Sequence, residues 1–295
     1  MRGTVGCGVL ELAVKKRRGK VGAVFRRSAH LMFGDFVVTI GSFESGNHPY
    51  TVNLASLPCK FFSGKIFPGQ KIVLENDSLI IGGKCLVLLN ELTPFRPAQK
   101  VEGIAGNREI KSALNGVEVG VKALMKNGKT GFWNTETGRS KFENSIHKAA
   151  LPGVRLVERG IRYKEAAALL DGSKILAGLG VGLTPSGDDF LVGVLSALHF
   201  NRLNVGKGFC PTLSVLNGIA TESSKRTSTF SGMLIRCAAR GWYSDLVSDW
   251  LAAVHKGNAN SALSATRRLF AIGHSSGKDT LAGLLTTVRG LVSFQ

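Results

Sequence analysis

The chain of 295 residues is 44% apolar and 20% charged, which supports a packed core and excludes a disordered chain. Lysine and arginine outnumber aspartate and glutamate by 38 to 20, a formal charge of +18, so anionic partners are favoured: nucleic acid, anionic membrane, acidic metabolites or an acidic protein subunit. Five scattered cysteines (Cys7, Cys59, Cys85, Cys210, Cys237) with no Cys-x-x-Cys exclude a disulfide framework and a structural zinc site, and no uninterrupted apolar run reaches membrane-spanning length.

The densest charge comes first. Residues 15–20 read Lys-Lys-Arg-Arg-Gly-Lys, with Arg26 and Arg27 following. A like-charge block of this kind predicts a solvated basic arm over residues 1–20, with contact to a polyanion as the alternative. Residues 5–14 are mildly apolar, but Glu11 interrupts them and the basic block follows rather than precedes. A secretory signal has the opposite order, so a soluble cytoplasmic protein with reduced thiols is expected.

Residues 21–104 read as a β-rich domain. Phe36 to Ile40, Tyr50 to Leu54, Lys71 to Glu75, Leu79 to Ile81 and Cys85 to Leu89 are short apolar or alternating runs. Asn76-Asp77 and Gly82-Gly83 separate the last three, as hairpin turns do, so an antiparallel sheet or small barrel is predicted. Pro94 and Pro97 close this region.

The period then changes from two to 3.6. Ile110, Leu114, Val117, Val121 and Leu124 form one stripe of a helix over 106–126. Residues 127–141, rich in Gly, Asn and Thr, predict a loop, and Tyr163 to Leu170 a short helix. Helices are further expected over 187–200, 212–222, 229–240, 243–255, 258–270 and 277–292. The result is an α+β protein, in which the β-rich region is followed along the chain by a mostly helical domain over residues 105–295.

That helical region repeats itself. Ser186-Gly187-Asp188-Asp189-Phe190-Leu191-Val192-Gly193-Val194-Leu195 recurs as Ser276-Gly277-Lys278-Asp279-Thr280-Leu281-Ala282-Gly283-Leu284-Leu285. Both copies follow a turn-forming lead, Gly182-Leu183-Thr184-Pro185 and Gly273-His274-Ser275. A capping box would account for part of the frame, Ser186 with Asp189 and Ser276 with Asp279 each starting a helix. It leaves Asp188, the run Gly178, Gly180, Gly182 and Gly187, and the paired helix glycines Gly193 and Gly283 without a reason. Glycine inside a helix costs about 1 kcal/mol relative to alanine, so a matched pair implies close backbone approach. The two helices are therefore expected to cross at Gly193 and Gly283 and to bring both leading loops to one cleft.

The chemistry of such a cleft is that of an anion site. Free N–H groups at Gly187 and Gly277 would attract phosphate or carboxylate. Lys278 adds positive charge, and His274 is placed to exchange a proton. Asp188 and Asp189 are candidate ligands for Mg²⁺, the one cofactor the pattern suggests; they could equally orient an amide or ammonium group. A third polar block, Ser223 to Ser231, carries Arg226, whose planar fork suits carboxylate or phosphate, though a surface arginine in a Ser/Thr-rich turn reads the same way. Candidate catalytic residues are thus His274, Asp188 and Lys278. Candidate binding residues are Gly182, Thr184, Ser186, Gly187, Asp189, Arg226, Thr227, Ser275, Ser276, Gly277 and Asp279. His30, His48, His147, His199 and His255 show no metal spacing, and neither a nucleophile elbow nor a phosphate-binding P-loop occurs.

Three blocks in this order, Gly182 to Leu191, Arg226-Thr227-Ser228-Thr229 with Ser231, and Gly273 to Asp279, resemble the bacterial family of AllH-type oxamate carbamoyltransferase subunits, long carried as a domain of unknown function. The resemblance is concentrated in residues 178–290. It implies phosphorolysis of oxalurate to oxamate and carbamoyl phosphate during anaerobic allantoin use, by a complex with two other kinds of subunit. It assigns no catalytic residue to this chain. The expected partners are a small anionic substrate and other enzyme subunits. The alternatives are a non-catalytic scaffold or regulatory subunit whose basic surface docks on an acidic partner and, less favoured with aromatics at only 7% and no RNA-stacking signature, a nucleic-acid binder.

Overall fold

Alternating apolar residues build the first unit of the chain. In the computed structural model, which describes residues 3–43, 46–55, 66–98, 100–125 and 141–293, the chain divides into two compact units, Met1–Pro97 and Ala98–Gln295. The loop expected over 127–141 lies outside the described residues except for Lys141, and Cys59 lies outside them too.

Among its described residues the first unit holds nine strands: β1 (Gly3–Gly6), β2 (Arg17–Val24), β3 (Ser28–Phe33), β4 (Phe36–Gly41), β5 (Thr51–Leu54), β6 (Lys71–Glu75), β7 (Ser78–Ile81), β8 (Lys84–Leu88) and β9 (Thr93–Phe95), with a short helix α1 (Cys7–Ala13) after the first. Their order across the sheet is β8-β7-β6-β2-β3-β4-β5-β1-β9. Hairpin neighbours are antiparallel, whereas β4–β5 and β1–β9 run parallel. Register keeps one face apolar: Ile72 pairs with Ile81 and Leu74 with Leu79, all four buried. Asn76 and Asp77 both take positive φ (45° and 59°), as a tight two-residue hairpin turn demands.

The basic block is not a free arm. Arg17 and Arg18 lie on β2 opposite Leu74 and Val73, and Lys16 pairs with Glu75 at 2.5 Å. Backbone ladder bonds fix the strand while the long charged side chains stay in solvent, so charge density alone does not release a segment from a sheet. The unit boundary also falls at Pro97, ahead of the expected 104.

The second unit is helical: α2 (Asn107–Met125), α3 (Lys141–Tyr163), α4 (Ala166–Leu176), α5 (Ser186–Asn204), α6 (Leu213–Ser224), α7 (Thr229–Ala239), α8 (Asp245–His255), α9 (Ala259–Phe270) and α10 (Ser276–Ser293). The fold is therefore α+β, as the period change predicts. On α2 the stripe Ile110, Leu114, Val117 and Val121 is buried; Leu124, at the last turn, is exposed. The short helix expected over Tyr163 to Leu170 straddles a break instead, because α3 ends at Tyr163 and Lys164 turns the chain at φ 61°. Replacing Lys164 with glycine should stabilise the second unit by about 1 kcal/mol, the strain a side chain carries in the left-handed region; thermal unfolding of Lys164→Gly beside the parent checks it.

Two helices hold the unit together. α5 is buried nearly all round, from Gly187 to Asn201 apart from Val192, so it is central rather than amphipathic. It gives Phe190, Val194, Leu195 and Leu198 to one apolar cluster with Leu169, Leu216 and Ile235. It gives Ala197 and Phe200 to another around Trp250, to which α10 adds Leu281, Leu284, Leu285 and Val288. Trp250 donates its indole N–H to the Thr266 hydroxyl at 3.0 Å. No helix among the described residues is long and apolar enough to cross a membrane.

Candidate functional site

The repeated segments meet by their glycines. A Cβ placed on Gly193 would come within 2.1 Å of the Thr280 carbonyl oxygen, and one on Gly283 within 2.0 Å of the Phe190 carbonyl oxygen. Each residue of the first copy has its counterpart 90 positions on, so Phe190 answers Thr280 and Gly193 answers Gly283. The contact is reciprocal: α5 and α10 cross backbone to backbone about a local two-fold axis. Such an approach is open only to residues without a side chain.

The lead-in loops are matched as well, though unequal in length. Gly187 packs on the Leu176 carbonyl at the end of α4, and Gly277 on the Leu269 carbonyl near the end of α9. Their N–H groups donate back into the loops, Gly187 to Leu179 (2.9 Å) and Gly277 to Ile272 (3.2 Å). From Leu179 to Gly187 is eight residues and from Ile272 to Gly277 five, so the first loop is three residues longer. It contains Gly180 and Gly182 at positive φ (129° and 96°), and it holds Val181 and Leu183 exposed.

These bonds correct two expectations. The N–H groups of Gly187 and Gly277 are not free to bind an anion, because the loop carbonyls occupy them. The capping box at Ser186 does not form either: Pro185 is the N-cap of α5, no side chain caps it, and the Pro185 carbonyl takes the N–H groups of Asp188 (2.9 Å) and Asp189 (3.1 Å). With the cap supplied by backbone, both aspartates are released for tertiary contacts.

They point to different partners. Asp188, fully buried, accepts the Gly178 N–H at 2.7 Å on Oδ1 and the Thr227 hydroxyl on Oδ2. It therefore ties the glycine loop to the turn ahead of α7. Ser228 adds a second tie, its hydroxyl donating to the Leu183 carbonyl at 3.1 Å. Asp189, one turn before Gly193, faces Asp279, one turn before Gly283; both are buried. Burial first, and then the Asp279 charge, hold the Asp189 carboxyl well above the usual carboxylate range, while hydrogen bonds from Ser276 and Thr184 act the other way. Its Oδ2 atom is buried without a hydrogen-bond partner. The Thr184 and Ser276 hydroxyls touch each other at 3.0 Å. Asp188 and Asp189 thus take different partners, and no cluster of three or more His, Cys, Asp or Glu residues suited to a metal occurs among the described residues.

The three sequence blocks thus lie together. Asp188–Thr227 and Leu183–Ser228 join the first block to the second; Thr184–Ser276 joins the first to the third. Thr184, Ser186, Ser275 and Ser276 are half-buried, and Gly182 borders open space. Arg226 and His274 are exposed. Lys278 is half-buried, its ammonium donating to the His274 carbonyl at 3.2 Å and standing 6.0 Å over the Phe270 ring. Among the described residues, a cavity of about 180 Å³ is lined by His147, Glu158, Phe190 and Ala282, and another of about 510 Å³ by Lys111, Glu118 and Arg289.

The pairing of Asp189 with Asp279 is the feature sequence reasoning missed. Its signal was present. If two helices cross at glycine, the residues four positions earlier lie on the crossing face, and both copies read Asp-x-x-x-Gly.

Residues 176–288 match a family model, AllH, described as oxamate carbamoyltransferase subunit AllH. The match spans the three blocks and supports the family resemblance drawn from them. No curated protein and no solved structure gives a match.

Proposed function

We propose that this chain, whose residues 176–288 carry the AllH match, is a subunit of an oxamate carbamoyltransferase system, and that it takes a small anion at the surface where its three blocks meet. The observation that carries the reading is the convergence itself: three blocks, with bonded residues up to 92 positions apart, are joined by side-chain bonds rather than left as unrelated helix starts. Thr184, Ser186, Ser275 and Ser276 would supply hydroxyl donors beside the open face of Gly182. Arg226 would supply the fork for a phosphate or carboxylate, on a turn that Thr227 fixes through Asp188.

Phosphorolysis of oxalurate has definite demands. A phosphate oxygen attacks the ureido carbonyl carbon, the carbon–nitrogen bond to oxamate breaks, and that nitrogen takes up a proton. Charge growing on the carbonyl oxygen needs fixed donors, for which Arg226 and Lys278 are the candidates. His274 is the candidate acid for the departing nitrogen. Asp188 serves as a positioning residue for both loops rather than as a group that meets substrate.

The expected result is that Arg226→Ala weakens phosphate and oxamate binding by about tenfold or more, the scale of one charge-assisted pair, with Arg226→Lys recovering part of it. Calorimetry on the purified chain reads this; equal affinity in parent and Arg226→Ala would sink the site. The exposure of Arg226 and His274 also favours a second reading, in which the chain is not active alone and a partner subunit covers them, because this chemistry gains from exclusion of water. Turnover that appears only on reconstitution with co-purifying subunits separates the two. A cytoplasmic location accords with either.

A further inference from the structure

The register of the first unit sets like charges face to face. Lys20 on β2 pairs directly with Lys71 on β6, and both are exposed. Directly opposed residues hold their Cβ atoms about 5 Å apart, and two like charges there destabilise a sheet. Arg18 lies two residues before Lys20, on the same side of β2 and about 7 Å from it. Lys16, just ahead of β2, is balanced by Glu75 across the ladder. Among the described residues Arg18, Lys20 and Lys71 form no ion pair. Lysines on an edge strand are a common guard against sheet-to-sheet aggregation, but β2 and β6 are neighbours inside the sheet. A sheet that needed only to fold would gain from an acid at position 20 or 71, so the uncompensated trio has another origin.

The same face carries aliphatic groups. Across the ladder Arg18 is followed by Val73, Ile80 and Cys85, and Lys20 is flanked by Met32 on β3. Val73, Ile80 and Met32 are half-buried, whereas the alternate residues Ile72, Leu74, Leu79 and Ile81 fill the buried side of the sheet. Nucleic-acid bases need aromatic rings to stack on, and none stands among these outward residues. A second copy docked through the same patch would bring two cationic trios together. Cations beside part-exposed aliphatic side chains instead complement a protein surface of opposite charge.

We propose that this face of β2, β6 and β7 docks an acidic protein partner, whose carboxylates supply the counter-charges that Arg18, Lys20 and Lys71 lack and whose aliphatic side chains cover Val73 and Ile80. The face belongs to the first unit, and its role does not rest on the anion site of residues 176–288. Lys20→Glu separates docking from folding, because the two should move in opposite directions. The new carboxylate faces Lys71, so the melting temperature of the first unit should rise by about 1–5 °C. Docking should weaken, since one cation is lost and a second is occupied.

The probe is a fluorescein-labelled peptide that repeats Glu-Glu-Leu-Leu, so that either side of it, when extended, alternates acid and aliphatic. Anisotropy is followed as the full chain is added. Affinity should fall about tenfold or more in Lys20→Glu, the scale of one charge-assisted contact. Lys256→Glu, an equal change of charge at an exposed position of the second unit, should leave it within about twofold. An all-glutamate peptide of the same length should bind less tightly for want of aliphatic contacts. Absence of peptide binding, an equal loss in both variants, or an all-glutamate peptide that binds as well overturns the proposal. So does selective loss, in Lys20→Glu, of binding to a single-stranded oligonucleotide or to phosphatidylserine vesicles while the peptide is unaffected; the face would then serve nucleic acid or a membrane. A Lys20→Glu chain that melts below the parent would show that Lys20 and Lys71 do not repel, and would remove the ground for a partner.

Discussion

Gly283→Ala should lower the melting temperature of the helical unit by roughly 6–12 °C, the equivalent of about 3 kcal/mol of overpacking. The added methyl would sit 2.0 Å from the Phe190 carbonyl oxygen and 2.9 Å from the Val194 nitrogen. Both atoms belong to backbone inside a helix, so neither can rotate away, and α5 and α10 must separate. Gly193→Ala meets Thr280 and Leu284 in the same way and should behave alike. Alanine is the better helix former by about 1 kcal/mol, which works against the expected loss and makes it a stringent prediction. Gly218 on α6 is the control: a Cβ there meets nothing within 4 Å, so Gly218→Ala should raise the melting temperature slightly. Three alanine variants with the same melting temperature would show that the crossing is looser than described.

Asp188→Ala should cost about 3 kcal/mol and also disable ligand binding. The substitution leaves two donors, the Gly178 N–H and the Thr227 hydroxyl, without their acceptor in a buried setting, at about 1–3 kcal/mol for each such loss. Asp188→Asn keeps one acceptor oxygen and should lose about half as much. The loss is local in origin. Hydrogen exchange should quicken at 178–184 and 226–228 while the core of α8 around Trp250 keeps its protection. A variant that unfolds no sooner than the parent, or one in which exchange quickens uniformly, would argue against a tie between the two loops. Phosphate affinity measured on Asp188→Asn separates positioning from direct contact: a modest loss is expected if Asp188 acts only through the loops.

Much of this architecture was legible in the residues. Alternation exposed β6 and β7, and the 3.6 period gave α2, because in each case one face is apolar and the other is not; α5, buried nearly all round, was marked instead by the polar turn ahead of it and the apolar run that follows. The crossing at Gly193 and Gly283 could be read because a glycine inside a helix needs a reason. Other features were hidden by competing physics. α3 carries Pro152, Gly153 and Gly160, which speak against a helix locally. Yet Gly153 and Gly160 are where it packs on α4, against the Gly172 carbonyl and the Leu169 nitrogen. Tertiary packing overrode propensity there. The capping box failed for the opposite reason: the Pro185 carbonyl did the capping, Asp188 went to Gly178 and Thr227, and Asp189 to Ser276 and Thr184. The basic block at residues 15–20 was misread because ladder bonding is invisible to a count of charge.

The interlocked glycines also bear on how this protein can be inherited and divided. Two near-copies each lend a carbonyl to the other's bare helix face, so neither is complete without its twin. A truncated chain that stops before position 276 would leave a strip of main chain along α5 with no side chain able to cover it. Any drift toward bulk at one glycine would have to be answered in its sibling, so the two should change together or not at all.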